Sequence, residues 1–221
     1  MIIYGATLSP FVRKVLVVAA EKGLAVESKP IGLGSKDPDF RAASPFGKIP
    51  ALRNGDFTLC DSSAIVHYME AVQPAPAMIP AAAEDRARTI WYDEFADTIF
   101  VAAAGKIFFN RVVAPLLMKR PGDQALADKA EAEEMPPIFA YIERMLPDSG
   151  HLVGDALTLA DIAVASPFVN LAHAGVVPDA ELYPRITAFV AAMLARPSFA
   201  PLVAAERRML AGITASAASP A

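Results

Sequence analysis

The sequence predicts a chain of class α/β plus all-α, a small mixed module followed by an all-helical domain. Two patterns and the break between them predict it. Up to about residue 75, short apolar runs of strand type alternate with capped helical stretches. Beyond residue 86, apolar residues recur at helical spacing and no convincing strand is seen. Between the two, Ala71 to Pro80 contains Pro74, Pro76 and Pro80, which break a helix and read as a linker. Net charge shifts at the same place, from +1 over residues 1–80 to −5 over residues 81–221. The expected division is a mixed domain 1–75, a linker 76–85, a helical domain 86–211 and a loose tail 212–221 of mostly small residues.

Met1-Ile2-Ile3-Tyr4 reads as a short buried strand. Ser9-Pro10 opens a helix, because serine caps well and proline suits the first helical position. That helix runs to Glu21 or Lys22, with Gly23 as its stop. A second strand is expected around Ala25–Ile31, then an irregular stretch from Gly32 to Lys48. Pro50 to Arg53 and Asp56 to Leu59 pair as a hairpin, with Asn54-Gly55 expected to form a type I′ turn. Asp61-Ser62 caps a further helix to about Val72. In the second half, helical spacing covers 86 to about 109, 124–146, 158–174, 183–195 and 199–210. Thr158-Leu159-Ala160-Asp161 has the pattern of a capping box.

Composition excludes several function classes. The longest stretch without Asp, Glu, Lys or Arg is Ile162 to Pro178, and Pro167, Asn170 and His173 interrupt it. A membrane-spanning helix needs about 20 mostly apolar residues, so no span is expected. Arg13 and Lys14 follow the apolar start instead of preceding it, unlike a secretory signal. With net charge −4 and no basic run, the chain is a poor candidate for nucleic acid. The single cysteine, Cys60, excludes a cysteine-based zinc cluster, and three scattered histidines argue against a histidine site; no metal is expected. These features point to a cytoplasmic, reducing compartment.

Four local patterns carry a family resemblance. Ser9-Pro10-Phe11-Val12-Arg13-Lys14-Val15 resembles the serine-bearing first helix of the tau and phi classes of cytosolic glutathione transferases. Ser44-Pro45-Phe46-Gly47-Lys48-Ile49-Pro50-Ala51-Leu52 resembles the segment with that family's cis-proline. Asp61-Ser62-Ser63-Ala64-Ile65 resembles its acidic-Ser-x-Ala-Ile motif, with aspartate where glutamate is usual. Leu157 to Ala163 resembles the capping segment of its sixth helix. They occur in the family's order and spacing. The chain is thus similar to a serine-type member, of bacterial type. The resemblance implies a thioredoxin-like N-terminal domain, glutathione as co-substrate, a small hydrophobic electrophile, detoxification as the role and a homodimer. In that dimer the helix after Asp61 packs near the partner's long helix. Other reactions run on this fold: isomerisation, peroxide reduction, dehalogenation, or ligand binding without turnover. The zeta-type Ser-Ser-Cys signature is absent, since the chain has Leu8-Ser9-Pro10, and no cysteine stands at Ser9.

The resemblance assigns roles residue by residue. A free thiol of pKa near 8.5 is only about 3% ionised at pH 7 and attacks only as thiolate. At Ser9 a hydroxyl and a helix N-terminus can both stabilise the sulfur anion. Ser9 is the candidate donor, and Thr7 in the same turn is its rival. Serine cannot be the base, because its own pKa is far too high. Tyr4 reads as a strand residue. Ile49-Pro50 is implied to be cis, with Ile49 pairing its backbone with the cysteinyl part of glutathione. Asp61 and Ser62 suit the ammonium and carboxylate of the γ-glutamyl end. Lys48 is implied to meet the glycyl carboxylate, with Lys36 as a companion. Phe11 is a candidate for the electrophile pocket, together with Ile107, Phe108 and Phe109. Cys60 reads as a buried strand-end residue, and Trp91-Tyr92 with Phe95 as a core stripe. His67 reads as structural or interfacial, and Glu131, Glu133 and Glu134 as a solvated face.

Overall fold

The computed structural model describes residues 1–32 and 34–218. The first domain is built from β1 Ile2–Tyr4, α1 Pro10–Glu21, β2 Glu27–Lys29, α2 Pro38–Ala43, β3 Ala51–Asn54, β4 Phe57–Cys60 and α3 Ser62–Val72. Its sheet has the order β2-β1-β3-β4. β1 runs parallel to β2 and antiparallel to β3, and β4 closes the hairpin. Strand alternation assigns the two faces. Ile3 and Leu52 face α1 and α3, where Val15, Val18, Ile65 and Met69 are fully buried with them. Tyr4 and Ala51 face the other way, onto Phe40 and Ala43 of α2. This is a thioredoxin-like domain.

α1 forms as the residues dictate. The Ser9 hydroxyl oxygen accepts from the Val12 N–H at 3.5 Å, Pro10 fills the first position, and Gly23 leaves the helix at φ +65°. α2 lies inside the stretch expected to be irregular. It is one and a half turns long and shows only Phe40 and Ala43 as buried apolar positions, too few to display a period. Its start was nonetheless encoded, because Asp37 caps Phe40 N–H at 2.9 Å and Pro38 follows. The hairpin turn also differs by one residue. Asn54 pairs with Phe57, so Gly55-Asp56 is the loop, and of these only Gly55 has positive φ (62°). That is the pattern of a type II′ turn, with glycine at its first central position.

The helical domain opens with one long helix, Ala83–Leu117. It comprises α4 Ala83–Glu94, a π-helical segment Phe95–Phe100, α5 Val101–Phe108 and a second π-helical segment Phe109–Leu117. By length and composition it could cross a membrane. Here it packs on α8 Leu159–His173 and buries Tyr92, Phe95, Phe100 and Ile107 in the core. α6 Gln124–Lys129, a π-helical segment Ala130–Glu134, α7 Met135–Met145, α9 Pro184–Leu194 and α10 Ala200–Ala218 complete the domain. From Leu159 to Leu171 every residue of α8 is buried. Its start is held by Asp161, whose carboxylate accepts from Thr158 N–H at 2.9 Å and Leu152 N–H at 2.7 Å. One continuous apolar core runs through both domains.

Two expectations need correction. α4 begins at Ala83, inside the expected linker. α10 continues through Ala218, so 212–218 is helix and not a loose tail; 219–221 lie outside the described residues. Glu131, Glu133 and Glu134 all stay open to solvent, and two of them also pair with the long helix, Glu131 with Arg111 at 2.5 Å and Glu134 with Lys106 at 2.7 Å.

Candidate functional site

The turn from β1 into α1 is drawn tight by Gly5. At φ +145° this residue sits where a side chain would clash: a Cβ would lie 2.5 Å from Val12 and 3.1 Å from Ile49. Only glycine lets the turn, α1 and the Ile49-Pro50 segment meet so closely. The Ile49–Pro50 bond is cis.

Beside this junction lies a cavity of about 410 Å³. Phe11, Lys48, Ile49, Pro50, Asp61 and Ser62 line it. These six were singled out in the sequence from three separate segments, and the fold brings them together. Ser9 does not line the cavity itself. It caps the helix whose first turn carries Phe11 into the wall, and it is half-buried. Lys36 is exposed and does not line this cavity.

The floor is the N-terminus of α3. Asp61 holds φ +85°, a conformation that costs a non-glycine residue about 1–3 kcal/mol. Its Oδ1 accepts from the Ala64 N–H at 3.0 Å. The N–H groups of Ser62 and Ser63, first in the helix, have no partner inside it. They leave a positive helix end suited to an anion.

The long helix supplies the opposite wall with Glu94, Asp97 and Thr98. Asp97 belongs to a buried cluster. Lys14 donates from Nζ to Asp93 Oδ1 at 2.6 Å and Asp97 Oδ2 at 2.7 Å. Ser62 Oγ donates to Asp97 at 3.2 Å, and Ser63 Oγ to Asp93 at 2.7 Å. One ammonium thus faces two carboxylates. Burial pushes the Asp97 carboxyl above the usual aspartate range; Lys14 opposes the shift and Asp93 adds to it. A partial signal is present in the sequence, since Asp93 and Asp97 share a helix face at i, i+4. Nothing in it indicated that Lys14, 79 residues before Asp93, would be their partner. Cys60 ends β4 half-buried, against the same cavity.

The expected apolar wall is displaced. Ile107 is wholly buried in the core, and Phe109 is exposed beneath the Arg120 guanidinium, 5.5 Å from its ring centre. Phe108 packs with Leu8, Val112, Leu116 and Leu210. A cavity of about 1050 Å³ continues from there, lined by Leu116, Leu117, Met209 and Ile213 among others. Its far wall is the segment 212–216 of α10, the part expected to be loose. Among the described residues, no group of three or more His, Cys, Asp or Glu side chains could hold a metal ion.

Two protein-family models match the chain. One, glutathione S-transferase, N-terminal domain, covers residues 3–77; the other, glutathione S-transferase, C-terminal domain, covers residues 102–197. The chain is 35% identical to glutathione S-transferase 3 of Zea mays over 209 residues, 92% of this chain and 93% of that protein. A crystal structure of a glutathione S-transferase from Rhodospirillum rubrum superposes with a TM-score of 0.83 at 30% identity, covering 91% of this chain and 90% of that one. Glutathione S-transferase I from mais, solved in complex with an atrazine glutathione conjugate, superposes with a TM-score of 0.79 at 27% identity, covering 92% and 96%.

Proposed function

The chain belongs to the glutathione S-transferase family and is a glutathione transferase with glutathione as its co-substrate; we propose that Ser9 holds the thiolate for attack on an apolar electrophile. The observation that carries this reading is the shared cavity. It places the cis-proline segment, the start of α3 and the first turn of α1 around one space. The conjugate in the maize relative supports a site of this shape for glutathione joined to an apolar molecule.

Glutathione then lies across the module. Its γ-glutamyl carboxylate meets the free N–H groups of Ser62 and Ser63, and its ammonium meets Asp61 and Asp97. Its cysteinyl backbone runs beside Ile49, and its glycyl carboxylate reaches Lys48. The sulfur comes to the first turn of α1. There the Ser9 hydroxyl accepts only one long bond, from Val12, so its proton is available to the sulfur. A hydrogen bond to an anion contributes about 1.5–3 kcal/mol, and the helix end about 0.3–1 kcal/mol. Together they lower the thiol pKa by roughly one to three units. The thiol proton leaves to water, and the thiolate forms a carbon–sulfur bond at the electrophilic carbon, whose leaving group departs as an anion with the bonding pair of the bond that breaks. The electrophile approaches along the apolar wall that joins Leu8 to the larger cavity.

The strongly exposed Phe46, at 86%, and the exposed Trp91 of the long helix support a homodimer. Sedimentation should give twice the chain mass. A cytoplasmic location belongs to the same reading.

The test is an ultraviolet titration of the thiolate band with glutathione bound, for the parent, Ser9→Ala and Thr7→Ala. The reading requires ionisation well below about 8.5, lost in Ser9→Ala alone. An equal pKa in the parent and Ser9→Ala would remove the serine from the chemistry.

A further inference from the structure

The turn that carries Ser9 is not held by its own domain alone. Two side chains of α8, one helical turn apart, grip the carbonyls on either side of it. Asn170 Nδ2 donates to Leu8 O at 2.7 Å, and Ser166 Oγ donates to Pro10 O at 2.8 Å. Both side chains are buried. Their orientation is set by Arg13, which is wholly buried on α1. Its Nη1 donates to Asn170 Oδ1 at 2.9 Å, to Ser166 O at 2.8 Å and to Ser166 Oγ at 3.2 Å. With its oxygen engaged by a guanidinium, the Asn170 amide must turn its NH₂ toward Leu8. Arg13 is fixed in turn by a two-point ion pair with Glu206 of α10, at 3.1 and 2.8 Å. Glu206 also meets His173 Nε2 at 2.9 Å.

Within its own turn, the Ser9 N–H donates to Ala6 O and its carbonyl accepts from Arg13 N–H, both at 3.0 Å, while its hydroxyl has one contact, 3.5 Å long. A hydrogen bond to a sulfur anion depends steeply on distance and angle. The bonds from α8 to Leu8 O and Pro10 O complete the hold on the backbone that aims the hydroxyl.

We propose that Ser166 and Asn170 are positioning residues: from the helical domain they fix the backbone on both sides of Ser9 and so set how its hydroxyl meets the glutathione sulfur. This inference rests on the reading of Ser9 as the thiolate donor. It makes the pKa of the bound thiol a property of the interface between the two domains.

The test measures the bound-thiol pKa, glutathione affinity and conjugation rate of the full chain carrying Asn170→Ala or Ser166→Ala, each alone and combined with Ser9→Ala. Both single variants should raise the thiol pKa, by about half a unit or more, and slow conjugation about threefold or more. Glutathione affinity should change by less than about twofold, because neither residue lines the glutathione cavity. In the Ser9→Ala background neither substitution should add a further shift. Ser166→Ala leaves Arg13 its bonds to Ser166 O, Asn170 and Glu206, and carries the test if Asn170→Ala does not fold. A pKa unmoved in the single variants while Ser9→Ala moves it would overturn the positioning role alone. A further shift in the Ser9→Ala background would also overturn it. No shift in Ser9→Ala itself would remove the donor reading, and the positioning role with it.

Discussion

Arg13 and Lys14 are neighbours on α1, both are buried, and they point into different worlds. Arg13 reaches α8 and α10, where one guanidinium meets one carboxylate and every polar partner is enclosed. Lys14 reaches the long helix and the start of α3, where one ammonium meets two carboxylates. Asp93 is enclosed there, but the Asp97 side chain keeps 18% of its surface and lines the cavity beside Ile49-Pro50. The first cluster balances its charge and can only hold. The second carries an excess negative charge toward an opening, which suits a cationic group arriving from outside. Adjacent residues of like charge thus divide the work: one anchors the turn that bears Ser9, the other sustains the anionic wall across from it.

The enclosed cluster of Arg13 is the more sensitive to substitution. Glu206→Ala strands a buried guanidinium, and losing one partner of a buried pair costs about 3–5 kcal/mol. Urea unfolding should show this as a large fall in midpoint. A fall no larger than that of an exposed pair would mean that water enters the cluster. Next in size is Ser9→Ala, which touches neither ion pair. It should leave the unfolding midpoint within about 1 kcal/mol of the parent value, the loss expected for a helix cap. It should raise the bound-thiol pKa by about one unit or more and slow conjugation about tenfold.

Asp97→Asn sharpens the open side. It leaves Lys14 paired one-to-one with Asp93, as Arg13 is with Glu206. Isothermal titration should find glutathione bound about tenfold more weakly, from the lost charge on its ammonium. Stability should respond to pH with a definite sign. The folded-state pKa of Asp97 is raised, chiefly by burial. Its contribution to stability is thus fully present below the unfolded pKa and is lost as pH rises through the folded pKa. Asp97→Asn lacks that loss, so its stability relative to the parent should improve over that range. A constant difference would mean that Asp97 titrates normally. Smallest of all is Lys36→Ala, outside the cavity, for which unchanged glutathione affinity is expected. A severalfold loss would place Lys36 back at the ligand.

Much of this was legible in the sequence wherever the signal is local. The Ser9-Pro10 cap, the Asp61-Ser62 cap and the Thr158–Asp161 box each act within four residues, and all three stand where the pattern put them. α2 was missed because six residues cannot display a period. The turn at Gly55 slipped by one because strand pairing, not the Asn-Gly dipeptide, chose the loop. The continuation of α10 was missed because small residues give no amphipathic stripe.

Phe11, Lys48, Ile49, Pro50, Asp61 and Ser62, which line the cavity, stand in motifs that resemble a known family. Glu94, Asp97 and Thr98 stand outside those motifs, as do Ser166 and Asn170. By itself the sequence determined the caps, the strands, the helical second half and the family, because each is written in short-range spacing or in motif order. Only the tertiary structure decided which charges meet. Arg13 finds Glu206 193 residues later, and Lys14 finds Asp97 83 residues later. A buried charge must have a partner, but its chemistry does not say which one; the packing of α1 against the long helix, α8 and α10 makes that choice.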